Sequence, residues 1–385
     1  MKRILFISPQ PFFQWRGSPI RVKFVLQAFS ELGYQVDLLT LPFGEDIAIE
    51  NITIIRVPNL FGVKNIAIGP SLLKALFDLV LLYKAIGLLR KQQYDVIHGI
   101  EEGGFLALML SRWFKTKSVF EKHSDPASHR KGLLKNMVLS LYAAMEKYTI
   151  RRVNLVIGTG DGLADQARQT KPKGEVVAIF DIPSSLYEST DEDAAQTALK
   201  LRQHSNEKLA TFVGSFAVYQ GIDLLFETIP YVLKKSSDIR FIIIGGNPTE
   251  ISEQQSKLKA LGLDERVTFT GKIPPDDLPD YLKASDILLA PRHSGVNTPL
   301  KILDYFKAGR AIVATDVASN RLILNEEIAL FASPTFDQYG EGILSLLEND
   351  KHRIMLGENG LQQYKQKYNF HTFKGLLEIA YQPLT

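Results

Sequence analysis

The chain has 385 residues, long enough for two domains with full cores. With 45% hydrophobic and 23% charged residues it has the balance of a globular protein, which excludes a disordered chain. A formal net charge of +3 gives no argument for nucleic acid, and the absence of cysteine excludes disulfides and thiolate metal sites, as suits a reducing compartment.

The start, MKRILFISPQP, is basic, but its apolar run from Ile4 to Ile7 has the length of a buried strand, not of a secretory signal. Strand patterns follow at 3–8, 35–40, 52–57, 95–99, 117–122, 155–160 and 175–180. Helical periodicity falls between them at 19–32, 71–91, 103–114 and 131–152. This alternation predicts a parallel sheet with helices on both faces. The longest apolar region, 66–91, is interrupted by Lys74, Asp78 and Lys84 at roughly helical spacing, so it is too broken for a membrane span. It reads as one or two amphipathic helices, packed on a sheet or lying in a membrane interface. The stretch 129–152 holds six Lys/Arg against one acid, interleaved with Leu, Met and Tyr. Such a stretch is a solvated helix face or a surface for anionic lipid.

Residues 181–198 are polar and acidic and read as a linker. Strands then recur at 209–214, 240–245, 266–271, 287–291, 311–316 and 328–332. Helices are expected at 221–235, 250–262, 276–284, 299–308, 318–325, 336–348 and 351–368, with one more amphipathic helix at 369–382. The fold class is α/β: two doubly wound halves, with ligand crevices at the carboxyl ends of their strands.

Four places just past predicted strand ends carry chemistry. In the first, Gly17 lets backbone approach a ligand, Ser18 can cap a helix and Pro19 suits its first position, so the amides there would face an anion. The second holds His123 beside Glu121, Asp125 and His129: a proton shuttle, a sugar-hydroxyl partner, or a merely solvated loop histidine. No dependable metal-ligand spacing accompanies it. The third runs from Gly214-Ser215 to Gln220-Gly221, between a strand and a helix. The fourth is PRHSGVNTPLKILDYFKAGRAIVATD, residues 291–316. A helix starting near Pro299 would offer amides and its positive dipole end to a phosphate, with Lys301 adding a full charge. Asp304, three residues on, shares that face and can accept two hydrogen bonds from a vicinal diol such as ribose. The alternative is that Lys301 and Asp304 form a solvated surface pair.

The last two motifs make the chain resemble the GT-B nucleotide-sugar glycosyltransferases, specifically family 4, a retaining group. The order VG, QGID, FIIIGG, V-x-F-x-G, AP, helix and IVATD over 209–332 resembles that family's donor domain. The first half is similar more weakly, through Gly17, Ser18, Arg21, Val22, Leu32 and Gly33. The resemblance implies two Rossmann-like domains facing across a cleft: 1–181 on the acceptor side, 182–368 for the donor, and 369–385 as a helix crossing back. It implies that Asp304 grips the donor ribose, and that Asn297, Thr298, Pro299 and Leu300, with Gly295 in the same loop, bind diphosphate or sugar. His123 would contact the transferred sugar, and Gly17 and Ser18 would close on the phosphates.

Two family cations on the diphosphate are replaced here by neutral Ser215 and Gln220, beside Gly214. The first acid of the family's Glu-x7-Glu pair is absent, its place falling near Ser294 or Gly295. Charge-assisted hydrogen bonds are worth roughly 1.5–3 kcal/mol each, so the losses matter. Arg292, His293 and Lys301 lie on the same crevice edge and can supply the charge, which reads as a rearranged site. The expected activity is retaining transfer of a sugar from a nucleotide diphosphate donor to a glycan or lipid-linked hydroxyl, in cell-surface polysaccharide or glycolipid synthesis. Lys301 and His123 are the expected catalytic groups, with no metal or other cofactor and no nucleic acid partner. Location would be cytoplasmic, with membrane contact through 66–91 and 129–152 at the inner face of the plasma membrane. The alternatives are a nucleotide-sugar epimerase on the same fold and a non-catalytic binder of sugar nucleotides.

Overall fold

The structure, a computed structural model, describes residues 2–15, 17–60, 62–63, 66, 72–124, 133–294 and 299–384, with backbone alone at 72 and 133–138. The chain divides into two compact units, residues 1–181 with 370–385, and residues 182–369.

Unit 1 is built on seven parallel strands: β1 (Arg3–Ser8), β2 (Gln35–Thr40), β3 (Ile52–Arg56), β4 (Val96–Ile100), β5 (Lys117–Lys122), β6 (Leu155–Gly158) and β7 (Glu175–Ala178). Their order is β3-β2-β1-β4-β5-β6-β7. Helices α1 (Gly17–Glu31), α2 (Leu72–Lys91), α3 (Glu102–Phe114), α4 (Leu133–Ile150) and α5 (Asp161–Gln169) connect them. The near-continuous apolar runs of β1 and β4 fit strands covered on both faces. On one face Leu5, Leu39 and Ile97 pack against Phe77 and Leu81 of α2 and Leu106 and Leu110 of α3. On the other, Phe6 stacks on His98 with ring centroids 4.2 Å apart. Helix α14 (Phe370–Tyr381) returns to this side: Tyr381 meets Phe29 of α1 edge-on at 4.8 Å, and Lys374 pairs with Glu31 at 2.7 Å.

Unit 2 holds six strands: β8 (Lys208–Val213), β9 (Ile239–Ile244), β10 (Val267–Gly271), β11 (Ile287–Ala290), β12 (Ala311–Thr315) and β13 (Leu330–Ala332). All pair in parallel, in the order β10-β9-β8-β11-β12-β13. Their helices are α6 (Asp191–Leu201), α7 (Ile222–Lys235), α8 (Pro248–Ala260), α9 (Leu278–Ala284), α10 (Lys301–Ala308), α11 (Ala318–Arg321), α12 (Phe336–Glu348) and α13 (Asp350–Gln366). Strand β8 has β9 on one side and β11 on the other, so the order reverses there and opens a crevice past their carboxyl ends.

Two elements depart from the sequence reading. The linker expected at 181–198 holds the start of α6, opened by a capping box in which Thr190 accepts from the Asp193 amide and Asp193 from that of Thr190. The helix buries little more than Ala194 and Ala198, which leaves almost no apolar period to detect. Helix α5, absent from the sequence reading, is nine residues long, mostly polar, and buries only Ala164 and Ala167.

The turn into α7 depends on a glycine. Gly221 has φ +72°, and a Cβ there would stand 1.8 Å from the Pro291 carbonyl oxygen. Both facts forbid a side chain. Gly221→Ala is expected to lower the stability of unit 2 by more than about 1–3 kcal/mol, read as an earlier thermal transition.

Candidate functional site

In unit 2 the site grows from the crevice at β8 and β11. The loop leaving β11 is pinned from below: Thr315 Oγ1 donates to the Arg292 carbonyl, and Asn320 Nδ2 donates to the carbonyls of Ala290 (3.3 Å) and Thr315 (2.9 Å). Tyr305 of α10 ties both strands, donating to the Leu289 carbonyl at 3.0 Å and accepting from the Val213 amide at 3.2 Å. These bonds set α10 directly under the two strand ends.

Lys301 is the first residue of α10. Its Nζ lies 4.2 Å from the centroid of the Phe212 ring and 3.2 Å from where a Cβ on Gly214 would stand. The ammonium group is buried and has no hydrogen-bond partner among the described residues. Burial first, and Arg292 second, bring its pKa down to about 7. Arg292 is itself buried; its Nε donates to the Ser294 carbonyl at 2.6 Å and its guanidinium lies over the Tyr219 ring. His293 pairs with Asp223 at 3.1 Å. Ser215 is exposed, and Gln220 is half-buried with its Oε1 unpartnered among the described residues.

Asp304 lies three residues beyond Lys301. Its Oδ1 accepts from the Ser184 amide at 2.7 Å and the Ser184 hydroxyl at 2.9 Å. Burial raises its pKa to about 6 against the lowering by Ser184 and Lys307. Lys307, a turn further, donates to the carbonyls of Ser185 (2.9 Å) and Tyr187 (2.6 Å), so α10 clamps the segment entering unit 2. Sequence reading gave Asp304 a sugar partner and missed Ser184, which is 120 residues away along the chain. The helix begins at Lys301 and not at Pro299. Pro299 and Leu300 form a tight turn ahead of it, their carbonyls accepting from the Ile302 and Leu303 amides at 3.0 Å. Gly295, Asn297 and Thr298 lie outside the described residues.

Unit 1 brings together a second group. His123, just past β5, has Nδ1 against the Ser18 hydroxyl and Nε2 3.1 Å from Glu121 Oε1, while its amide donates to Glu101 at 2.9 Å. Ser18 therefore sits in the first turn of α1 and serves His123, where the sequence suggested a cap; Gly17 opens the helix. Glu121 is also paired with Arg21, whose other arm reaches Asp181 at 2.9 Å, and lies 2.8 Å from His98. His98 Nδ1 in turn meets the Tyr381 hydroxyl at 2.5 Å. Burial would raise the Glu121 pKa, but Arg21, His123 and His98 outweigh it and hold the carboxyl well below its ordinary range. Burial depresses His98, so it stays neutral next to that charge. His98, Asp181 and Tyr381 were not anticipated; a histidine inside the apolar run DVIHG was the available signal. Asp125 and His129 lie outside the described residues. Among the described residues no three His, Asp or Glu side chains converge as a metal site.

The comparisons with known proteins agree with this architecture. The model for Glycosyltransferase Family 4 matches residues 15–179, and that for Glycosyl transferases group 1 matches 207–349. The chain is 22% identical over 279 residues to alpha-D-kanosaminyltransferase of Streptomyces kanamyceticus, covering 70% of this chain and 72% of that one. It is 23% identical to an uncharacterized glycosyltransferase of Methanocaldococcus jannaschii, covering 92% and 91%. Among solved structures it is similar to sucrose-phosphate synthase from Thermosynechococcus elongatus (TM-score 0.78, 20% identity, 100% and 99% covered). It is also similar to the HepE protein of Anabaena in complex with UDP (TM-score 0.73, 15% identity, all of both chains covered). Two parallel-sheet Rossmann-like units and these matches define a GT-B glycosyltransferase. Within that class the chain belongs to family 4.

Proposed function

We propose that the enzyme transfers a sugar from a nucleotide diphosphate donor to a hydroxyl of a glycan or lipid-linked acceptor, with retention and without a metal. The observation that carries this reading is the buried amine of Lys301, unpartnered among the described residues and set beside Gly214 at the strand ends. An isolated buried ammonium is costly, and a diphosphate above it would restore the charge. Arg292 joins it in stabilising the departing diphosphate, replacing the cations missing at Ser215 and Gln220. Asp304, with Oδ1 held by Ser184, takes a ribose hydroxyl on its other oxygen. His123 and the Gly17–Ser18 turn serve the sugar and phosphates, as the family resemblance implies. The HepE protein was also solved with UDP-glucose, which supports a sugar nucleotide as donor here. Among the described residues no helix is long and apolar enough to cross a membrane; the acceptor would be met by a cytoplasmic enzyme at the inner face of the plasma membrane.

Calorimetric titration with UDP-, GDP- and TDP-sugars tests the donor. One of them is expected to bind, and at pH 8 to bind with uptake of a proton, because Lys301 is mostly neutral there until the diphosphate arrives. The uptake is read by repeating the titration in buffers of different ionisation enthalpy. Failure of every sugar nucleotide to bind would overturn the reading. Neutral Ser215 and Gln220 favour one rival, a non-catalytic binder, which would bind a donor yet transfer to no acceptor.

A further inference from the structure

Helices α2, α3 and α4 all cover one face of the unit 1 sheet. The register places Leu5 beside Ile97, and Ile97 beside Ser118, so Phe120 points to the same side as both. Leu5 and Ile97 pack with α2 and α3, and Phe120 packs with Leu108 of α3 and Ile150 of α4. The outer side of this layer is apolar and basic: Leu79, Tyr83, Trp113 and Leu141 are exposed, as are Arg112, Lys147, Arg151 and Arg152. The acids of the described α3 and α4 residues are used elsewhere, Glu102 by Lys74 and Glu146 by Lys122, each at 2.7 Å.

Between α3 and α4 is a cavity of about 390 Å³ lined by Phe105, Leu108, Met109, Ala144 and Met145, with Arg112 and Tyr148 completing the wall. That volume falls in the range of small-ligand sites, and methionines suit a flexible apolar guest. Tyr148 stands between two cations. Its hydroxyl accepts from Arg112 at 3.2 Å, and the Arg152 guanidinium stacks 3.9 Å above its ring. Neither guanidinium meets a carboxylate among the described residues. An apolar chamber beside two uncompensated guanidiniums fits an anionic amphiphile.

We propose that the α3–α4 cavity takes an acyl chain of an anionic phospholipid, whose phosphate is held between Arg112 and Arg152. This deepens the acceptor side of the reading above by giving the enzyme a defined lipid site on the membrane it serves. The occupancy is one lipid per chain, unlike diffuse adsorption to a charged surface, and Trp113 lies close enough along α3 to report it.

The test is titration of the full chain, without nucleotide, with dihexanoyl phosphatidylglycerol below its micelle concentration, followed by calorimetry and tryptophan fluorescence. Saturable binding of one lipid per chain is expected, at least tenfold weaker for dihexanoyl phosphatidylcholine. Ala144→Trp, which fills the chamber, and the double variant Arg112→Gln/Arg152→Gln should each weaken binding at least tenfold without shifting the thermal melt. Absence of saturable binding, equal binding of the two lipids, or full affinity in the double variant would overturn the proposal. If Ala144→Trp does not fold, the arginine variant decides alone. Since no donor is present, a failed donor titration and a failed lipid titration remain separate results.

Discussion

Replacing Glu121 with alanine is expected to destabilise unit 1 by about 3–5 kcal/mol, the cost of stranding a buried partner charge. Glu121 is 1% exposed and Arg21 5%, so neither reaches water to compensate. The loss is steep because one carboxylate serves three groups: the Arg21 guanidinium, His98 and His123. Asp181 alone would remain on Arg21. The pH dependence has a definite sign. The folded pKa of Glu121 lies below its unfolded value, so its contribution is fully present above roughly pH 4.3 and is lost as pH falls below that. Glu121→Ala should therefore flatten the acid limb of the stability curve. Both tryptophans, Trp15 and Trp113, lie in unit 1, so fluorescence during urea unfolding reports this unit separately. A loss under about 1 kcal/mol would mean that water or a rearranged Asp181 satisfies Arg21.

Exchange of Lys301 for methionine should move binding and stability in opposite directions. Methionine fills similar volume against Phe212 without the cost of a buried ammonium. Donor affinity is expected to fall roughly 10- to 150-fold, the equivalent of one charge-assisted hydrogen bond at about 1.5–3 kcal/mol. Unit 2 should at the same time melt later. Here the folded pKa is depressed to about 7, so wild type loses stability as pH falls from roughly 10 to 7 and no more below that. The thermal advantage of Lys301→Met should accordingly be largest at and below pH 7 and shrink in alkali. Unchanged donor affinity would remove Lys301 from the phosphate site.

The alternating architecture was legible because nearly every core strand is a short run of apolar residues that a sheet covered on both faces requires. RILFIS and QVDLLT fall on their expected bounds, and AIVATD ends one residue early, at Thr315. What escaped was held by other means. Helix α6 is fixed by a capping box and small residues, which carry no apolar period. The cations and carboxylates of the site were visible as residue types, but not their partners: Asp304 finds Ser184, and Glu121 finds Arg21 a hundred residues back. Sequence spacing ranks neighbours on one helix, whereas these pairs are set by which strand ends lie side by side. Lys301 was legible as a charge, while its burial against Phe212 depended on the β8–β11 crossover.

The return of α14 has a consequence for synthesis. Unit 2 is one continuous stretch, so it can close as soon as residue 369 clears the ribosome. Unit 1 begins first yet waits for Tyr381 to reach His98, and until then the patch beside α1 at Phe29 and His98 lacks its cover. Completion of unit 1 therefore follows that of unit 2, although its strands are the first to be made.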